Sequence, residues 1–369
     1  MAANNLSISS LDEVVASLPA AELKLLQRIY TVSAAEGELC IPPSMQPWVQ
    51  QQFGSVESVS QQKVIRVTNK VTGEETLFGR LRALRPIESK VEKNPAATLD
   101  DNGRVDLFDD PYNNTPEDTF GRVTGKHCVT ASNIAKFDEF HGLIIFNNPD
   151  PLDFSRDEVI NYIDVAQEWM RRAREVRPEA MYPLFIWNCL WRAGASIHHG
   201  HAQVALASGR HYAKIDRLWQ AALDYRQSCG VEYFRDLFAA HHSVGCALER
   251  DGVKIMAHLT PFKNNEVVLM AEMLSTSLKE RVYDVLACFR DRLGVQAFNM
   301  SLVTPPLAET EESWEGFPVM VRMVDRGDLG DYTSDVGSME IYAASVVHSD
   351  PFQLTRELQA YFAAGESDG

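Results

Sequence analysis

The sequence predicts an α+β protein of two tandem modules, each an antiparallel sheet with helices packed on it. Two observations predict this. The order strands, one capped helix, strands is read between residues 61 and 209, and it recurs in element order, without sequence identity, between 210 and 369. The 369 residues, 45% of them hydrophobic, also suffice for two cores of ordinary size. Residues 1–60 read as a helical extension, 61–209 as a first module carrying the chemistry, and 210–369 as a second, degenerate one.

Composition narrows the function. A net charge of −16 argues against a broad nucleic-acid surface, while a single phosphate site needs only local positive charge. The six cysteines are scattered, with no C-x-x-C pair, which argues against a disulfide framework and fits a cytoplasmic setting. The first residues lack the basic and apolar regions of a signal peptide. No apolar run approaches the ~20 residues that would cross a membrane.

In chain order, Ser10-x-x-Glu13 reads as a capping box, and Leu23, Leu25, Leu26 and Ile29 follow at helical spacing. Val64, Ile65 and Val67, then Thr76, Leu77 and Phe78, read as two strands around Val71-Thr72-Gly73. The polar stretch 106–121 reads as a long loop, with Asp109 and Asp110 as solvated charges or ribose partners. His127–Phe146 holds two strands. Ser155-x-x-Glu158 caps a helix with Val159, Ile163, Ala166 and Met170 on one stripe, and an apolar strand Tyr182–Leu190 follows. In the second half a helix Lys214–Gln227 connects to two strands within 253–272. Ser277-x-x-Glu280 is expected to cap a helix bearing Val282, Val285, Leu286 and Phe289. Strands at Ala297–Val303 and Phe317–Val324 come next. Asp350-Pro351 then starts a terminal helix, with Asp as N-cap.

The chemistry concentrates in Asn188–Leu206, NCLWRAGASIHHGHAQVAL. His199, His201 and Gln203 are two apart, so on a strand they share one face, while Gly200, Ala202, Val204 and Leu206 form a small or apolar face fit for burial. Gly194-Ala195-Ser196 offers a turn whose N–H groups and hydroxyl suit an anion. A neutral imidazole can attack phosphorus and leave again near neutral pH. Gln203 can donate to a phosphoryl oxygen but cannot hand over a proton, which favours phosphate leaving groups. Spacing alone leaves open a zinc-ligand pair or a histidine pair with no chemistry. His198 reads as a loop histidine.

This stretch resembles the active-site motif of the galactose-1-phosphate uridylyltransferase family, a branch of the histidine-triad superfamily. Asn188, Gly194, Ser196, His199, His201 and Gln203 fall at the family spacing. Related diadenosine tetraphosphate phosphorylases share Gly-Ala-Ser and His-x-His-x-Gln. Arg82, Ala83, Arg85 and Pro86 match the ending of the family's opening hairpin. The resemblance implies two tandem histidine-triad-like modules. It makes His201 the nucleophile, with Ser196, Gly194 and Gln203 on the phosphoryl group and Asn188 supporting the turn. It puts Arg82 and Arg85 on the nucleotide phosphates, and Ser132-Asn133 where the family binds ribose. Gly337-Ser338-Met339-Glu340 echoes the family's hexose-gripping tail, with Glu340 as the acceptor contact.

Three departures bear on function. Val321-Arg322-Met323 stands where the family has a second His-x-His, so one site per chain is expected. The family's zinc ligands are an early Cys pair, a mid-domain His and the first His of the motif. Only His199 has a counterpart, since NNPDP occupies 147–151, so no metal and no other cofactor is expected. The tail also lacks the family's following Gln. The expected activity is nucleotidyl transfer through a nucleotidyl-histidine, from a nucleotide sugar or polyphosphate to a phosphate or sugar-phosphate acceptor. The alternatives are phosphorolysis by inorganic phosphate and a nucleotide-binding module that has lost catalysis. A homodimer is implied, with neither nucleic acid nor membrane as a partner.

Overall fold

A computed structural model describes residues 6–84 and 106–367. Thirteen strands are seen among them: β1 Tyr30–Glu38, β2 Gln61–Asn69, β3 Glu75–Phe78, β4 Cys128–Ser132, β5 Phe140–Phe146, β6 Ala180–Cys189, β7 His201–Ser208, β8 Ala247–Arg250, β9 Val253–Ala257, β10 Val267–Ala271, β11 Phe298–Val303, β12 Val319–Asp325 and β13 Ser345–Val347. Nine form one sheet in the order β4-β5-β7-β6-β11-β12-β10-β9-β8, and every pairing is antiparallel. The tandem halves meet at β6 and β11, where Asn188 lies opposite Asn299. The other four form a small sheet, β1-β2-β3-β13.

One face of the large sheet carries Ala202, Val204 and Leu206 on β7, Phe185 and Trp187 on β6, and Val319, Val321 and Met323 on β12. Helices Arg156–Val176, Thr276–Asp291 and Pro351–Ser367 cover it. Each helix starts where a side chain takes up orphan N–H groups. Ser155 and Glu158 make the expected reciprocal box. Asp350 accepts from Phe352 N–H at 2.9 Å. The third N-cap is Ser275, accepting from Leu278 N–H, two residues before the expected Ser277.

The opposite face is divided. Over β8 to β12 it is covered by the small sheet and by helices Ala20–Ile29 and Tyr233–Ser243. Over β4, β5 and β7 a small cluster of Phe108, Val129, Ala131 and Ile145 is what lies on it among the described residues. That thinly covered region holds the histidines.

The first sixty residues differ from a purely helical extension. β1 pairs with β2 over nine positions. Its sequence, YTVSAAEGE, is mostly exposed and lacks apolar alternation, so pairing rather than pattern makes it a strand. Ser10 makes no side-chain cap; its hydroxyl donates to the Ser7 carbonyl at 2.9 Å.

Candidate active site

The site begins where β7 begins. Gly200 comes just before it, wedged so that a Cβ would lie 2.6 Å from Phe146 Cδ2 and 3.1 Å from the Asn148 carbonyl oxygen. Only glycine lets the chain pass there while its N–H donates to the Pro149 carbonyl and its own carbonyl accepts from Phe146 N–H. The regular strand starts at His201, so His199 sits in the bend before it rather than on the expected strand. Both rings still lie on one side, each meeting the edge of Phe108 at centroid distances of 5.8 and 5.3 Å.

His201 Nδ1 is 2.9 Å from the His199 carbonyl oxygen. A carbonyl only accepts, so Nδ1 carries the proton and Nε2 presents a lone pair. Among the described residues nothing hydrogen-bonds Nε2. Burial holds the His201 pKa below the ordinary 6.5, with the hydrogen bond to the His199 carbonyl opposing it. This is a neutral imidazole of fixed tautomer whose Nε2 lone pair has no partner among the described residues.

His199 has acceptors on both sides. Nε2 is 2.9 Å from the Phe146 carbonyl oxygen and Nδ1 is 2.8 Å from Asp106 Oδ2, with Asp109 at 3.9 Å. Both neighbours are acceptors, and the ring is clamped between the Phe146 carbonyl and the Asp106 carboxylate.

The turn upstream is held by the second half. Leu190 enters it at φ 67° and Gly194 leaves a 3₁₀ turn at φ 94°. The N–H groups of Ala193, Gly194 and Ala195 donate to carbonyls of Leu190 and Trp191 within the turn. Gly194 therefore shapes the turn, and its N–H is not available to an anion as expected. The exposed Ser196 keeps a free hydroxyl among the described residues. Asn188 supports the turn indirectly. Asn299 Nδ2 donates to Asn188 Oδ1 at 2.7 Å and to the Ala193 carbonyl at 2.8 Å, while Arg326 donates to Asn299 Oδ1. Arg192 donates to the carbonyls of Arg326, Asp331 and Thr333, and Trp191 stacks on Tyr332 at 5.2 Å.

Gln203 Oε1 lies 2.9 Å from His141 Nε2, and Asn133 Nδ2 lies 3.2 Å from the same nitrogen. Asn133 is thus beside Gln203, while the buried Ser132 donates to Asp118 at 2.6 Å. Arg82 is exposed on the 3₁₀ turn Arg80–Leu84 and makes no hydrogen bond or ion pair with these residues; Arg85 lies outside the described residues. Glu340 accepts from its own helix's Gly337 N–H at 2.8 Å and lies 4.0 Å from Lys263 Nζ, with no bond to His201 or Gln203.

Asp106, His141 and Asn299 were not read from the sequence, since each meets its partner only through the fold. Donor atoms of Asp106, Asp109 and His199 lie within 4.8 Å of one another. Two carboxylates and an already hydrogen-bonded imidazole do not match the Cys-and-His set of the resembled family, nor the four ligands of a tetrahedral zinc.

No family sequence model matches the chain, and no curated protein matches it in sequence. Solved structures do match in shape. An ADP-glucose phosphorylase from Arabidopsis thaliana, with ADP-glucose bound, aligns at TM-score 0.60 and 14% identity, covering 78% of this chain and 96% of its own. A galactose-1-phosphate-uridylyltransferase-like protein from the same plant aligns at 0.56 and 14%, covering 79% and 97%. A uridylyltransferase aligns at 0.55 and 13%, covering 82% and 99%. The resemblance carried by the histidine motif therefore extends to the whole architecture: the chain has the α+β, histidine-triad-like fold of these uridylyltransferase and phosphorylase structures.

Proposed function

We propose that the protein is a nucleotidyltransferase working through a covalent nucleotidyl-histidine on His201. One observation carries this reading: His201 Nδ1 is locked onto the His199 carbonyl at 2.9 Å, so Nε2 is an unprotonated nitrogen with no partner among the described residues. Nε2 attacks the α-phosphorus of a nucleoside diphosphate or polyphosphate compound. A P–N bond forms and the P–O bond to the departing phosphate breaks, that oxygen keeping the electron pair. Phosphate leaves without needing a proton, in keeping with the amide of Gln203 in place of a general acid. In the second step an oxygen of the acceptor phosphate attacks, the P–O bond forms and the P–N bond breaks. Ser196, Gln203 and Asn133 flank the transferred nucleotide, with Arg82 and Arg85 on its phosphates. A homodimer in a reducing compartment completes the reading; all six cysteines are unpaired, and no described helix is long and apolar enough to cross a membrane.

The test is labelling. Incubation with radiolabelled UDP-glucose, ADP-glucose or diadenosine tetraphosphate should leave an acid-labile adduct that His201→Ala abolishes. An adduct of equal yield in His201→Ala would remove the role.

A second reading, phosphorolysis, shares the first step. It is favoured by the engagement of Glu340 with its own helix and Lys263, which leaves that carboxylate off a hexose acceptor. The likeness to an ADP-glucose phosphorylase points the same way. Discharging the adduct with inorganic phosphate against glucose 1-phosphate and galactose 1-phosphate separates the two.

A further inference from the structure

We infer that His141 is a positioning residue that fixes the side-chain amide of Gln203, holding its NH2 end free to meet a phosphoryl oxygen. The inference rests on the reading that Gln203 faces the transferred phosphoryl group.

Two hydrogen bonds assign the proton on the His141 ring. Phe137 in the loop between β4 and β5 directs its backbone N–H at His141 Nδ1, 3.3 Å away. A backbone N–H only donates, so Nδ1 is the acceptor and the proton of the neutral ring sits on Nε2. That Nε2–H faces Gln203 Oε1 at 2.9 Å. The amide oxygen is thereby taken, and the NH2 group is the end left for a ligand. His141 is 1% exposed, and the Phe137 ring lies over it at 3.8 Å between centroids. Asn133 cannot take over the role. Its own carbonyl oxygen accepts from Ala135 N–H at 2.9 Å, which leaves its NH2 group 3.2 Å from His141 Nε2, a donor facing a donor that adds no bond while that nitrogen carries its proton. Burial lowers the His141 pKa, which keeps the ring neutral and its single N–H assigned.

The consequence is orientation. The two ends of a glutamine amide have nearly the same shape, so a loose Gln203 presents its oxygen to an anion as readily as its NH2 group. Oxygen against phosphate is repulsive, and preorganised donors are what stabilise developing charge. With the other tautomer, His141 would accept from the NH2 group and turn the oxygen towards the phosphate. The Phe137 N–H selects against that state.

The test compares single-turnover adduct formation in wild type, His141→Leu, His141→Gln, Gln203→Ala and the double variant His141→Leu/Gln203→Ala. His141→Leu should slow adduct formation about 10–100-fold, the range for residues acting through another, with nucleotide affinity nearly unchanged. His141→Gln, which keeps an N–H donor, should recover much of the rate. The double variant should be no slower than Gln203→Ala, because the effect passes through that amide. Should His141→Leu not fold, Phe137→Pro removes the N–H that sets the tautomer and Phe137→Ala keeps it; only the former should be slow. Glutamine-selective 15N labelling gives a readout without activity: the side-chain amide peaks of Gln203, assigned by their loss in Gln203→Ala, should move in the His141 and Phe137→Pro variants. Additive loss in the double variant, or unmoved amide peaks, overturns the inference. A wild type that takes up no label on any nucleotide overturns the proposed function instead, and the amide peaks still decide on His141.

Discussion

His201 and its neighbours make two predictions at the scale of single residues. In the proposed mechanism the attacking group is the neutral His201 ring, so protonation removes activity, and burial disfavours the protonated form. The acid limb of kcat/KM for adduct formation should therefore fall below the ordinary histidine value of 6.5. A limb at or above that value would mean that some other group titrates. The second concerns Asp106, 2.8 Å from His199 Nδ1. In Asp106→Asn the carboxylate that clamps His199 is gone, which loosens the carbonyl that fixes the His201 tautomer. Adduct formation should drop about 10–100-fold, read by quenched-flow labelling; an unchanged rate would show that Asp106 is only a surface partner. The shared side of His201 and Gln203 was legible because residues two apart on one strand face the same way. Asp106, His141 and Asn299 were not, because they lie 93, 62 and 111 residues from the groups they hold. No local pattern encodes a partner at that range.

At the scale of elements, legibility followed the strength of the periodic signal. The helix Arg156–Val176 has both halves of its capping box and a buried stripe of Val159, Ile163, Ala166 and Met170, all read from sequence. The edge strand β1 has neither signal and was missed, as was the short β8, whose ALER carries no alternation. The approach to β7 shows how much one small residue decides. An alanine methyl at position 200 would meet the Phe146 ring, which is itself stacked on Tyr162 at 3.7 Å with an interplanar angle of 2° and has nowhere to go. Gly200→Ala should cost about 1–3 kcal/mol of stability and, by shifting the backbone between His199 and His201, most of the labelling activity. Urea midpoints and adduct yield measure the two; a variant as stable and as active as wild type would show that the bend tolerates a side chain.

At the scale of the whole molecule, the fold explains why the second half carries no equivalent site among the described residues. Arg322 on β12 points to the same face of the large sheet as His201 and Gln203 on β7, since Val321 and Met323 face the helices as Ala202 and Val204 do. Among the described residues that face is thinly covered in the first half; in the second the small sheet lies on it. Glu74, from the turn between β2 and β3, meets Arg322 at 3.0 Å, and Glu266 on the sheet side meets it at 2.7 Å. Glu266 is 1% exposed at its side chain, and burial raises its pKa while Arg322 opposes the rise. Removing the arginine in Arg322→Met leaves that carboxylate buried, with the Phe262 N–H as its donor and His258 Nδ1 3.7 Å away. The cost should be about 3 kcal/mol, at the lower end of the range for breaking a buried pair because Arg322 is itself 31% exposed. The pH dependence has a definite sign. A carboxyl whose folded pKa lies above its unfolded value binds its proton more readily in the native state, so the native state loses stability as pH rises through the gap. The deficit of Arg322→Met relative to wild type should thus be larger at pH 8 than at pH 5, and Glu266→Gln added to Arg322→Met should flatten it. Urea unfolding at the two pH values decides: an equal deficit at both would mean that the arginine holds the two sheets together by packing alone, not by neutralising Glu266.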